Sequence, residues 1–456
     1  MTAASTPITA QILAALCPSP NPSGPQPLPA YYGMVMLGLA SQAYTAQGSD
    51  WPTIQAGLSV AITTPQYTPH LPSPVGGPDP VPGAWSLDWG PANGQDGDGD
   101  NSNLIYIASY RTPVLAGEAV GAPYFFVVGI RGTDTSVKGK PLHQQLLQDI
   151  RDFELISWPD LLAGKYNDLL HGHLCVPTPN TQDAGALTGK IALGSMRGFV
   201  KLANSTAPLN DGKIPGSKGT PLTVMAALQS LMQKNPATPI VVTGHSLGAC
   251  QTQLMASYVA WQFPKTNVIP FAYAPPTAGD AGFVSTYSQQ CPWGQFWYNE
   301  YDVVPYAFIT MTANYEQKSG LSFAAQNLWS AYKWPDVAPG ANTPVVNPNG
   351  EPGPPLPIEM VALIDTLGRL IPSVYVRPAN GLLPLAGNIP SAYEIAALLA
   401  AMGGGMAKQD STSGLAQLIW QHFPPCYSKL MAAQYGAQLA PFDFKSYKPG
   451  SVESGA

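Results

Sequence analysis

The spacing of hydrophobic residues divides the first part of the chain into helices and strands. YYGMVMLGLASQAYTAQ (31–47) is long and apolar enough for a buried helix, whereas NLIYIASY (103–110) and YFFVVGIRGT (124–133) predict strands. The second strand is apolar at nearly every position, which is typical of a central strand covered on both faces. These segments predict elements that are buried in the fold.

From residue 220 onward, helical and strand patterns alternate. Apolar residues recur at helical spacing from Leu222 to Met232, and Thr220 and Pro221 are suited to begin that helix. Further elements follow with short connections: the strand PIVVTG, a helix over residues 249–263, and the strands NVIPFAYA and QFWYNEY. This order predicts an α/β fold with a mostly parallel central sheet and helices on both faces.

Proline-rich and glycine-rich segments set the predicted domain boundaries. Residues 1–30 predict an N-terminal proline-rich arm, and residues 31–450 predict the α/β domain. Within that domain, residues 311–410 form a long insertion whose last helix begins with the capping-box spacing of Ser391 and Glu394. We expect this insertion to form a cap or lid.

Composition limits the classes of function. Charged residues make up 11% of the chain and the formal net charge is -6, whereas an average soluble protein is roughly 25% charged. With so few charges and a net negative balance, the chain offers no basic surface for nucleic acid. It also contains no run of about 18 apolar residues of the kind that predicts a membrane-spanning helix. The five cysteines have no metal-like spacing. The composition is typical of a secreted enzyme, but the N-terminus lacks the basic start of a secretory signal, so the export route stays open.

The segment GHSLG (244–248) fits the pattern G-x-S-x-G once in the chain. That pattern requires small residues on both sides of the serine, so that a sharp turn can present the hydroxyl at the carboxyl end of a sheet. A strand pattern precedes the segment and a helical pattern follows it. We therefore predict that Ser246 is a nucleophile; the alternative is a tight strand-to-helix corner that contains a serine.

A serine nucleophile needs a base and an acid, which follow it in the order acid, then histidine, in α/β hydrolases. His422 is the only histidine after Ser246 and is therefore the predicted base. Asp302 follows the strand QFWYNEY and is the predicted acid, with Glu300 as the reserve choice. Asp280 is disfavoured because Gly279 and Asp280 resemble an ordinary turn.

The same chemistry needs hydrogen-bond donors for the negative oxygen of a tetrahedral intermediate. The backbone N–H of Leu247 follows the nucleophile and is the first predicted donor. Thr133 follows the strand FFVVGI and is the second, unless this loop is only a strand end with a convenient glycine.

Segments of the chain resemble the class 3 lipase family, the fungal triacylglycerol lipases and their relatives. FFVVGIRGT resembles the family's oxyanion segment, VVTGHSLGA its nucleophile turn, FAYAPPTAGDAGF its Y-G-x-P-R-V-G-D segment, and NEYDVVPYAF its aspartate segment. The resemblance covers about residues 31–430 and implies the α/β-hydrolase fold. It also implies a triad of Ser246, Asp302 and His422, with Thr133 and Leu247 as oxyanion donors.

The chain departs from the family pattern in several places. Ser195 or Met196 stands where the family has a histidine, and Tyr427 follows His422 by five residues rather than closely. In the fungal relatives a short lid helix follows the oxyanion segment, and residues Leu142–Ile150 are the corresponding candidate here. These departures bear on the substrate rather than on the triad.

We therefore predict a serine hydrolase of the lipase type that cleaves acylglycerols through an acyl-enzyme. No metal or organic cofactor is implied, and the predicted partner is an ester or lipid, with a lipid–water interface as one setting. The alternatives are a phospholipase, a short-chain or feruloyl-type carboxylesterase, and a non-catalytic hydrolase-like binding protein.

One acidic segment raises the question of calcium. Asp96, Asp98 and Asp100 alternate as at the start of a calcium loop, but Ile107 stands where an EF-hand has glutamate. We therefore expect a hairpin turn there.

Overall fold

The structure is a computed structural model. It describes residues 16, 27–45, 50–63, 83–94, 103–112, 121–132, 154–166, 187–210, 220–302, 304–306, 345–346, 352–353, 375–378, 381–388, 390–402 and 414–435.

Helices and strands alternate through most of this part of the chain. The helices are α1 Pro27–Gln42, α2 Trp51–Thr63, α3 Trp158–Leu162, α4 Leu193–Asn204, α5 Val224–Lys234, α6 Leu247–Gln262, α7 Ala281–Gln290, α8 Ala392–Met402, α9 Gly414–His422 and α10 Pro424–Tyr435. The strands are β1 Ala84–Gly94, β2 Asn103–Arg111, β3 Pro123–Ile130, β4 Leu155–Ser157, β5 Lys190–Ala192, β6 Thr206–Ala207, β7 Leu222–Thr223, β8 Ile240–His245, β9 Val268–Tyr273, β10 Gln295–Asn299, β11 Val345–Val346, β12 Pro352–Gly353 and β13 Leu382–Leu385.

The described residues form a central sheet of seven strands in the order β1-β2-β3-β8-β9-β10-β13. β2 pairs antiparallel with both β1 and β3, and the neighbouring strands β3, β8, β9, β10 and β13 of this sheet pair in parallel. The short strands pair two by two, β4 with β5, β6 with β7 and β11 with β12. The predicted α/β class with a mostly parallel sheet is confirmed.

The sheet is covered on both faces because successive side chains of a strand point to opposite sides. Phe125 and Val127 join the hydrophobic cluster that contains α1 and α10. Phe126 and Val128 join the cluster that contains α5 and α6. The apolar run in β3 therefore supplies both layers of the core, as expected for a buried parallel strand.

Two predicted boundaries differ from those in the structure. Helix α1 begins at Pro27, so residues 27–30 of the predicted arm belong to the first helix. Helix α5 begins at Val224, with the Thr223 hydroxyl accepting the N–H of Ala226, rather than at Thr220. Thr223 is the residue directly before the helix, and its hydroxyl takes up one of the N–H groups that a helix leaves unpaired.

Part of the predicted cap belongs to the core. β13 extends the central sheet, because it pairs in parallel with β10. Helix α8 begins with the predicted capping box of Ser391 and Glu394, and it buries Ile395 and Leu398 in the same cluster as α1. Most of the remaining insertion, residues 311–410, lies outside the described residues, as does the predicted short helix at 142–150.

Within the described residues, no helix combines the length and the apolar character needed to cross a bilayer. In the same residues, no group of His, Cys, Asp and Glu side chains could hold a metal ion. Asp96, Asp98 and Asp100 lie outside the described residues.

Candidate active site

Ser246 lies in the sharp turn between β8 and α6, at the carboxyl end of a central parallel strand. Its φ of 62° and ψ of -131° form a backbone conformation that residues with a side chain rarely adopt. Such a conformation costs about 1–3 kcal/mol and persists only where the surrounding structure enforces it. The turn therefore presents the Ser246 hydroxyl at the edge where the parallel strands end.

The two glycines of GHSLG are required by close backbone contacts. A Cβ on Gly244 would lie 2.4 Å from the carbonyl oxygen of Gly248, and a Cβ on Gly248 would lie 2.6 Å from the carbonyl oxygen of Ile130. Both distances are shorter than real Cβ contacts. Gly244 therefore lets α6 turn back closely over β8, and Gly248 lets the start of α6 pack against the end of β3.

His422 is the last residue of α9, and its ring lies between Ser246 and Asp302. The Nε2 atom lies 2.8 Å from Ser246 Oγ. The Nδ1 atom lies 2.9 Å from Asp302 Oδ2 and 3.1 Å from Oδ1. A carboxylate only accepts hydrogen bonds, so we infer that the ring proton is on Nδ1 and that Nε2 accepts the serine hydroxyl.

Asp302 is buried, and protein donors surround its carboxylate. Oδ1 accepts the N–H of Val304 at 3.0 Å, and Oδ2 accepts the Tyr427 hydroxyl at 2.7 Å. Burial, followed by the nearby Asp302 charge, raises the pKa of Tyr427 well above its usual value. Tyr427 therefore keeps its proton and donates it to the carboxylate. In the sequence, Tyr427 was noted only because it follows His422 at a longer distance than in the family, and no local pattern linked it to Asp302.

His245, directly before the predicted nucleophile, is a second histidine in contact with His422. The two ring centroids are 4.8 Å apart. His245 Nε2 lies 2.6 Å from the carbonyl oxygen of His422, so it carries a proton and donates it. Burial, and then the nearby His422, hold the pKa of His245 well below its usual value. His245 is therefore a neutral side chain and contacts the site through the backbone of His422.

Tyr44, in the turn after α1, contacts the His245 ring on the Nδ1 side, opposite the Nε2 atom that contacts His422. Its hydroxyl lies 3.3 Å from His245 Nδ1 and accepts the N–H of Gly132 at 3.1 Å. The two contacts join the turn after α1 to the loop after β3 and to the turn that contains Ser246. Sequence analysis assigned Tyr44 only to a buried helix.

One predicted oxyanion donor, Leu247, and Gly132, the residue before the other, lie in neighbouring segments of the structure. Leu247 is the first residue of α6, where backbone N–H groups have no partner within the helix and favour negative charge. Gly132 lies beside the serine, since a Cβ there would come within 3.2 Å of Ser246 Cβ. Thr133 itself lies outside the described residues.

The other acids considered in the sequence occupy different places. Glu300 follows β10, and its backbone N–H donates to Leu385 at 3.1 Å; the carboxylate that contacts His422 is that of Asp302. Asp280 precedes α7 and accepts the N–H of Phe283 at 2.9 Å, so it caps a helix rather than forming only a turn.

The family-pattern departures at residues 195 and 196 lie in α4, which packs against α6. Ser195 Oγ lies 3.3 Å from Cys250 Sγ, and the Ser195 carbonyl accepts a hydrogen bond from the Gln251 side-chain amide at 3.0 Å. Met196 is fully buried. The two residues that could correspond to the family's histidine are therefore a small polar side chain, Ser195, and a buried apolar one, Met196.

Comparison with known proteins agrees with this architecture. Residues 179–311 match the model of the class 3 lipase family. The crystal structure of a lipase called M37 shares 18% identity over 89% of this chain and 95% of its own, with a TM-score of 0.54. The LIP2 lipase of Yarrowia lipolytica shares 15% identity over 60% of this chain and 73% of its own, with a TM-score of 0.36. No curated protein sequence matches the chain.

At these identities, the likeness to M37 lipase concerns the fold, while the family match concerns the sequence around the nucleophile turn. The predicted resemblance to the class 3 lipases is therefore confirmed for residues 179–311, and the chain has the α/β-hydrolase fold.

Proposed function

We propose that the chain hydrolyses carboxylic esters, with acylglycerols as the main substrates, by a serine-dependent mechanism through an acyl-enzyme. The contact chain from Ser246 through His422 to Asp302 carries this proposal. Its two hydrogen bonds measure 2.8 Å and 2.9 Å, within the range in which a base can remove a proton. No metal or organic cofactor takes part in it.

In the acylation step, Ser246 Oγ attacks the carbonyl carbon of the ester while its proton passes to Nε2 of His422. Asp302 keeps the imidazole oriented and stabilises the imidazolium that forms. The negative oxygen of the tetrahedral intermediate accepts hydrogen bonds from the Leu247 N–H and from Thr133. The intermediate then expels the alcohol, which takes the proton from Nε2.

In the second step, His422 removes a proton from water as the water attacks the acyl-enzyme. The new tetrahedral intermediate expels Ser246 Oγ, which recovers its proton from Nε2, and the carboxylic acid leaves. The enzyme returns to its starting state, so each turnover consumes one ester and one water.

The choice of acylglycerols is supported by the class 3 lipase match over residues 179–311.

The mechanism is tested by replacing the nucleophile. We expect Ser246→Ala to lower kcat by about 10,000-fold or more and to abolish labelling by a fluorophosphonate probe. Ser257→Ala is the matched control, because Ser257 lies on the same helix and its hydroxyl bonds Trp158 and Gln290 away from the triad. Ester cleavage that survives in Ser246→Ala would overturn the proposal.

The substrate is tested with long-chain triacylglycerol emulsions, phospholipid vesicles and soluble nitrophenyl esters of increasing chain length. Acylglycerol hydrolysis requires activity on the emulsion to exceed activity on the vesicles and the short esters. Activity that peaks at acetate and does not respond to an interface would leave the mechanism intact and overturn the acylglycerol assignment.

A further inference from the structure

The helix that carries His422 ends in a way that leaves backbone carbonyls without local donors. In a continuous helix the carbonyl of Gln421 would accept the N–H of residue 425, but that residue is Pro425. The carbonyl of His422 would accept the N–H of Cys426, which instead donates to the carbonyl of Phe423 at 3.0 Å. The sequence HFPPC therefore creates two carbonyls that need other partners.

Side chains from two strands of the central sheet supply those partners. The amide of Asn299, at the end of β10, donates to the Gln421 carbonyl at 3.0 Å. The ring N–H of His245, at the end of β8, donates to the His422 carbonyl at 2.6 Å. We call this pair of hydrogen bonds the double cap.

Each member of the double cap lies in the same segment as a partner of His422. His245 directly precedes Ser246, and Asn299 lies three residues before Asp302, whose N–H donates to the Asn299 carbonyl at 3.0 Å. The backbone that carries the imidazole is thus fixed to both segments that the imidazole must contact.

Burial makes the double cap rigid. Asn299 and Gln421 are fully buried, and the second N–H of the Asn299 amide donates to Gln421 Oε1 at 2.6 Å. Gln421 in turn donates to the Asn388 carbonyl at 2.8 Å. Loss of a cap would leave a buried carbonyl unpaired, which is unfavourable in a low-dielectric interior.

We propose that Asn299 and His245 are positioning residues, which hold the backbone of His422 so that its ring bridges Ser246 and Asp302. The proposal rests on the function proposed above, because it assigns the base role to His422. It predicts that loss of either cap slows the chemical step more than it weakens substrate binding.

The test compares variants that remove a donor with one that retains it. His245→Leu and Asn299→Leu each remove one cap, and we expect kcat to fall by about 10- to 100-fold with little change in KM, as for small displacements of a catalytic group. His245→Gln can place an amide N–H near the position of Nε2. We expect it to recover most of the kcat lost in His245→Leu.

A matched control separates position from stability. Asn210 is also a buried asparagine whose amide donates to two backbone carbonyls, those of Leu87 and Gly90 at 3.1 Å each, in the edge strand β1. Asn210→Leu should lower the Tm in the same way as Asn299→Leu but leave kcat unchanged. A common loss of kcat in both variants would assign the effect to stability and overturn the proposal.

A spectroscopic readout makes the result independent of the assigned reaction. The proton between His422 Nδ1 and Asp302 should give a low-field resonance, identified by its loss in His422→Ala. It should broaden or disappear in His245→Leu and Asn299→Leu and persist in His245→Gln. An unchanged resonance and wild-type kcat in both leucine variants would overturn the double cap, whereas activity that survives in Ser246→Ala would overturn the proposed function.

Discussion

Removal of the Tyr427 hydroxyl tests how Asp302 is held. The hydroxyl donates to Asp302 Oδ2 at 2.7 Å and accepts the backbone N–H of Asn299 at 3.1 Å. Tyr427→Phe removes both contacts and leaves the buried ring in place, so that packing changes little. The affected groups are a carboxylate and a backbone N–H, and both are buried.

The expected magnitudes follow from those two contacts. A hydrogen bond to a charged group contributes about 1.5–3 kcal/mol, and a buried N–H without a partner costs about 1–3 kcal/mol. We therefore expect the free energy of unfolding of Tyr427→Phe to fall by about 3 kcal/mol. Asp302 keeps the Val304 N–H and the His422 ring, so we expect kcat to fall by about 10-fold, well below the roughly 10,000-fold loss that follows removal of a triad acid.

Denaturant unfolding and steady-state hydrolysis of a soluble ester measure the two effects. Tyr106→Phe is the control, because the buried Tyr106 hydroxyl donates to the Leu39 carbonyl at 2.7 Å, on an uncharged partner. It should lower stability and leave kcat unchanged. If Tyr427→Phe keeps both its unfolding free energy and its kcat, the hydrogen bond to Asp302 does not have the role argued here.

Two further predictions concern the nucleophile turn. Gly248→Ala places a Cβ 2.6 Å from the Ile130 carbonyl oxygen and 2.8 Å from the Gly132 nitrogen. We expect the unfolding free energy to fall by about 1–3 kcal/mol and kcat to fall by about 100-fold or more. Wild-type values of both quantities would refute the steric argument. Because the folded pKa of His245 is depressed, the unfolded state binds the extra proton below about pH 6.5. The unfolding free energy should therefore fall as the pH drops below that value, by up to about 1.4 kcal/mol per unit from this residue. Denaturant titrations should show a shallower fall in His245→Gln, and equal slopes would contradict the assignment.

The sequence by itself determined most of the secondary structure and the fold class. Strand β3 and the β8–α6 segment were predicted within a few residues, because the spacing of apolar side chains follows the local backbone geometry. The G-x-S-x-G segment also identified the turn at Ser246, since its glycines answer a requirement within one short segment. His422 was identified as the predicted base because it is the only histidine after Ser246 in the sequence.

Tertiary structure alone decided which side chains surround Ser246, His422 and Asp302. Tyr427 contacts Asp302 across 125 residues, and Asn299 contacts the Gln421 carbonyl across 122 residues. Tyr44 reaches His245 across 201 residues. Such contacts depend on how whole helices pack against the carboxyl edge of the sheet, and no spacing along the chain encodes them. The same holds for β13 and α8, because apolar residues at these spacings occur both in lids and in cores, and only the pairing with β10 and the packing against α1 assign these two elements to the core.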